Sequence, residues 1–165
     1  MGVAAGMIFI TFEMTAAAFA GVDFFSPLRM TGATVLGHGA LESSYSLGVA
    51  GLVGLLVHAT LSAVYGAAFG VASAVGPLRR NREVLLVAAT AFGALLWAVN
   101  FYLVIPVAFP WFLAASPMVQ FIAHTFFFGT ILGIMLSVRL RVDRPAGEST
   151  GAGSRYGDLG LPRAS

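Results

Sequence analysis

No cysteine and no lysine occur in this chain of 165 residues, and only 10% of its residues are charged. The first absence excludes disulfides, thiolate metal sites, iron–sulfur clusters, covalently attached haem and a cysteine nucleophile. The second leaves nine arginines against seven acidic residues, a formal charge of +2. That balance contains no basic patch, so nucleic-acid binding finds no support. Catalytic signatures are equally scarce. No HExxH, GxSxG, Walker or GxGxxG pattern stands in a suitable context, so the chain is not expected to be an enzyme.

What the chain has in excess is apolar side chain: 58% of residues are hydrophobic and the mean hydropathy is +0.89. A water-soluble fold cannot hide that much. Crossing about 30 Å of hydrocarbon at a rise of 1.5 Å per residue takes roughly 20 apolar residues. Four stretches qualify, at about 3–22, 47–75, 84–105 and 118–138. The expected fold is therefore all-α, a bundle of four transmembrane helices over residues 1–138, with a largely disordered tail over 139–165 rich in Gly, Ser, Pro and Arg. An alternative reads the AAAFA run before Gly21 as a signal-peptidase site, which would leave three spans. It lacks a basic leader, because no Lys or Arg precedes Arg29, and Glu13 interrupts the apolar run.

The connections carry the orientation signal. Between the first two spans lies DFFSPLRMTGATVLGHGALESSYS, too long and too apolar for a turn; Ser26 before Pro27 predicts a capped short helix to about Leu36, interfacial or dipping into the bundle. The second connection, GPLRRNRE, holds Arg79, Arg80 and Arg82. The third, VAFPWFLAASP, is uncharged; Pro106, Pro110 and Pro117 are expected to break helices, and Trp111 and Phe112 suit the headgroup region. With Arg139, Arg141 and Arg144 after the last span, the arginines fall on one side. Positive residues concentrate in cytoplasmic loops, so both termini are expected in the cytoplasm.

Polar residues inside spans are costly in lipid and face the bundle interior. They are Glu13 in the first span; His58, Ser62, Tyr65 and Ser73 along one stripe of the second; Thr90, Trp97 and Asn100 in the third; and Gln120 and His124 one turn apart in the fourth. Counting residues places Glu13 and His58 roughly 14 Å below the extracytoplasmic surface, and Asn100 and His124 roughly 8 to 9 Å below it. Glu13 costs a few kcal/mol near mid-membrane unless it is protonated, paired or solvated, and His58 is its expected partner. Against a functional reading stands simple packing, since interhelical hydrogen bonds average about 0.6 kcal/mol in membranes.

Small residues form a second pattern. Gly66 with Gly70, and Gly129 with Gly133, have the GxxxG spacing that lets helices approach closely; Ala50 with Gly54 and the run Ala16–Ala18 add small surface. Packing within the bundle is the expected use, with a homo-oligomer or a larger membrane complex left open. Three functional readings follow. The first is small-solute or proton-linked transport through a polar interior around Glu13, His58, Ser62, Tyr65, Asn100, Gln120 and His124. The second is a non-catalytic accessory or structural subunit. The third is haem or metal held by His58 and His124, a pair without supporting ligand spacing. No cofactor and no metal site is otherwise expected.

The runs FEMTAAAFAGVDFFSPLRMTGATVLG (Phe12 to Gly37), WAVNFYLVIP (Trp97 to Pro106) and VQFIAHTFFFGTILG (Val119 to Gly133) resemble a family of small uncharacterised bacterial four-helix integral membrane proteins. Some members carry the label sodium/proline symporter or histidine kinase, and neither suits a chain this short. The order of His58, Tyr65, Gly66 and His124 is also similar to that in YagU-like inner-membrane proteins. These resemblances imply a membrane bundle and bring no catalytic residue with them.

Overall fold

The computed structural model describes residues 1–74, 78 and 81–142. The arginines at 79, 80 and 144 and the tail expected to be disordered from 143 onward lie outside the described residues. Within them the chain is all-α, and four helices are long and apolar enough to cross a membrane. We label them α1 (Gly2–Phe19), α3 (Leu47–Ser73), α4 (Arg82–Ala108) and α5, which spans Pro117–Arg139 and runs on to Val142; α2 (Ser26–Leu36) is the short helix between α1 and α3. Leu52, Leu56, Val64, Val71, Val87 and Leu95 are exposed apolar side chains on these helices. Helices that are apolar all round belong in lipid, so the chain has the architecture of a multi-pass membrane protein.

Helix ends follow local chemistry. Asn81 caps α4, its Oδ1 accepting from the backbone of Glu83 (2.9 Å) and Val84 (3.3 Å). Ser46 and Ser116 stand at the N-caps of α3 and α5, and Pro117 takes the first turn of α5. Ser26 does not cap α2. It lies inside the helix behind Phe25, and Asp23 supplies the acceptor instead, its Oδ1 taking the Phe25 backbone N–H at 3.0 Å.

Pro106 does not break α4 either. The backbone widens into a π-helical segment at Asn100–Val104 and then resumes as Ile105–Ala108. Proline removes one backbone donor and crowds the preceding turn, and a widened turn accommodates both effects without ending the helix. A second π-helical segment, Ala123–Thr130, interrupts α5; Thr130 Oγ1 donates back to the Thr125 carbonyl at 3.2 Å within it.

Lipid tails are as apolar as leucine, so burying Ile10, Leu85 and Leu132 completely gains close packing rather than escape from water. Small residues set that packing. α1 lies between α3 and α5, α4 packs on α5, and α2 lies along α3. A methyl added at Gly2 would sit 2.8 Å from Gly66 Cα, and one at Gly93 would sit 3.0 Å from Gly129 Cα. On α3, Gly54 meets the Leu28 backbone of α2. Gly133 rests on Ala89, whereas among the described residues nothing stands within 4 Å of the position a methyl at Gly70 would take. α3 and α4 share little contact, which leaves a seam between them.

Candidate functional site: a polar cavity in the bundle

Six of the seven polar residues predicted to form an interior site line one cavity of about 230 Å³: Glu13, His58, Tyr65, Asn100, Gln120 and His124. All four long helices contribute, with His58 and Tyr65 together on α3 and Gln120 and His124 together on α5. Glu13 sits six residues before the end of α1, and Gln120 is in the first turns of α5. Asn100 and His124 both fall in the π-helical segments, whose extra residue per turn redirects side chains relative to a regular helix. Ser62 is buried beside the cavity and packs against Gly6 of α1, where a methyl would meet its side chain.

The partner of Glu13 is Gln120, whose Nε2 donates to the Glu13 carboxylate; it is not His58. His58 Nε2 instead donates to the Gly6 carbonyl at 2.8 Å. Two facts cause the difference. α1 ends at Phe19 rather than Val22, so Glu13 lies only about 9 Å from that end. The antiparallel pairing fixed by Gly2 on Gly66 then puts Gly6, not Glu13, across from His58.

The deeper level is aromatic. Phe9 packs against His58 with centroids 5.1 Å apart, and against His124 edge-on at 4.8 Å. His124 Nδ1 donates to the Gln120 carbonyl one turn earlier at 2.8 Å. A ring nitrogen that faces a carbonyl carries the hydrogen, so His58 Nδ1 and His124 Nε2 are the nitrogens left to accept a proton or a hydrogen bond.

Glu13 and Gln120 also line a second cavity, of about 310 Å³, with Ala16, Ala17, Ala20, Ser26, Pro27 and Ala114. Ala16 and Ala17 therefore leave space here instead of closing a helix contact. Ser26 belongs in turn to a polar depression of about 370 Å³ with Asp23, Arg29 and Ser43. Arg29 is held there by a hydrogen bond of 2.6 Å to the Glu42 carbonyl. Ser26 is thus shared by the two spaces beside the long first loop, and Glu13 and Gln120 by the second of these and the inner cavity.

Several of the features were not visible in sequence patterns. α2 contributes Thr31 and Thr34 to the inner cavity, and the third connection contributes Phe109 and Phe112. Trp111 ties that connection to α2, its Nε1 donating to the Met30 carbonyl at 3.1 Å. The Trp97 indole N–H and the Thr125 hydroxyl are buried without a hydrogen-bond partner. Among the described residues, no group of three or more His, Asp or Glu side chains is placed to hold a metal ion. No protein-family model, no curated protein and no solved structure matches this chain.

Proposed function

We propose that the chain is a small transport or permeability protein of the bacterial inner membrane, and that solute or protons pass through the cavity around Glu13. The observation that carries this reading is the position of the Glu13–Gln120 pair. A carboxylate that is costly to bury sits between an inner polar cavity and a space leading to the loop side. Buried structural carboxylates have no need of a cavity on each side. His58 and His124 supply further proton-accepting nitrogens on the inner wall. Both termini face the cytoplasm in this reading, because Arg79, Arg80, Arg82 and Arg139 flank that side.

The test is flux in proteoliposomes loaded with a pH-sensitive dye, comparing wild type with Glu13→Gln. Wild-type protein dissipates an imposed gradient, and the variant, still monodisperse, does so at the rate of empty vesicles. Equal flux in both would overturn the reading.

An accessory-subunit role draws on one observation, the empty space over Gly70 on α3. Stable purification of a lone, flux-competent chain removes it. For haem held between His58 and His124 the geometry is unfavourable: both imidazoles already pack on Phe9, which a porphyrin would have to displace.

A further inference from the structure

We infer that the inner cavity binds a small organic cation with an apolar body, such as a substituted ammonium ion. This deepens the transport reading and rests on it for the assignment of the cavity as a solute site. Three independent features of the cavity define that class.

The first is charge. Among the described residues, Glu13 is the single acidic side chain on the wall, and no arginine lines it. Glu13 is 8% exposed and accepts one hydrogen bond, from Gln120, while an ionised carboxylate has room for about four. A cation lodged beside it balances the carboxylate's charge, which the neutral amide leaves uncompensated, and the wall offers an anionic solute no arginine.

The second is the character of the remaining wall. Phe9, Tyr65, Phe101, Phe109 and Phe112 surround the space. Aromatic faces attract a cation, most strongly when it is desolvated, and they accept apolar substituents that a hydrated metal ion does not carry. Asn100 and Gln120 add amide oxygens without adding positive charge.

The third is access. The cavity lies at the seam where α3 and α4 share little contact, and two of its lining residues, Leu61 and Val104, are 45% and 38% exposed. Part of the cavity wall is therefore exposed apolar surface on two membrane-spanning helices. A solute with an apolar body can reach the site from the lipid, while a strongly hydrated ion cannot.

Benzyltrimethylammonium and its neutral isostere neopentylbenzene separate these terms, measured by intrinsic Trp fluorescence on the full chain in nanodiscs. The expected result is binding of the cation about tenfold tighter than the isostere, a margin set by charge and ring faces. Glu13→Gln is expected to abolish the margin, and Tyr65→Leu to reduce it several-fold while Tyr65→Phe leaves it intact. A cation bound no more tightly than the isostere by wild-type protein overturns the inference, and that comparison needs no variant to fold. So does a margin that survives Glu13→Gln. Proton flux without this margin would leave the transport reading standing and this inference fallen. The margin without any flux would do the reverse.

Discussion

Gln120 on α5 donates its side-chain N–H to the carboxylate of Glu13 on α1, and both side chains face the same two cavities. An amide is a suitable partner for a carboxyl that must exchange ligands. It offers a hydrogen bond without the full charge that would lock the carboxylate in an ion pair, and it can rotate away. In the transport reading the bond is a partition that can open, and arginine at 120 would be expected to hold it closed.

Removing the donor tests how much the bundle relies on this contact. Gln120→Leu leaves a buried carboxyl oxygen unpaired and is expected to destabilise the bundle by about 1–3 kcal/mol. Glu13→Gln keeps an amide–amide bond available and should cost less than about 1 kcal/mol. Unfolding by increasing SDS in mixed micelles measures both. Equal losses would mean the contact is incidental.

Glycines that look alike in sequence are predicted to behave differently. Gly66→Leu and Gly93→Leu push a side chain into the facing backbone, at Gly2 and at His124 and Gly129 respectively. Overpacking of this kind typically costs about 1–3 kcal/mol or more. Gly70→Leu meets nothing within 4 Å and should leave melting temperature unchanged. Size-exclusion profiles together with melting curves decide the matter. A Gly70→Leu chain that changes oligomeric state would reassign that face to a second copy.

Thr90 on α4 and Thr130 in the π-helical segment of α5 share a hydrogen bond of 2.9 Å between hydroxyls. A double-mutant cycle with Thr90→Val and Thr130→Val should return a coupling of about 0.6 kcal/mol, the usual value for interhelical bonds in membranes. Coupling near zero would show that the two helices do not meet at this level.

The spans were readable because a bilayer imposes length and apolarity on any helix that crosses it. The polar residues were readable for the same reason: Glu13, His58, Asn100, Gln120 and His124 are expensive where they stand. Which of them pair was not readable. Depth counted from Val22 misses the true end of α1 at Phe19, and partner choice depends on contacts such as Gly2 on Gly66 that hydropathy does not encode. Pro106 looked like a terminator because local rules do not anticipate a π-helical turn, and that turn is what lets α4 continue while Asn100 lines the cavity. The outer space beside Ala16 and Ala17 has no signature in the sequence, because small residues signal contact and void equally well.

In the transport reading, water reaches the inner cavity from the side of the long first loop. The chain has no cysteine, so single introduced thiols report without background. Ala17→Cys places a thiol on the outer space and Val57→Cys on the inner cavity, with Ala5→Cys, which is 0% exposed, as the buried control. The measurement is their modification by a membrane-impermeant methanethiosulfonate applied from either side of oriented vesicles. The thiols at 17 and 57 are expected to react from the loop side, the latter more slowly, and the thiol at 5 to stay unmodified. Protection of position 57 from the loop side, or its faster modification from the side of the termini, would contradict it.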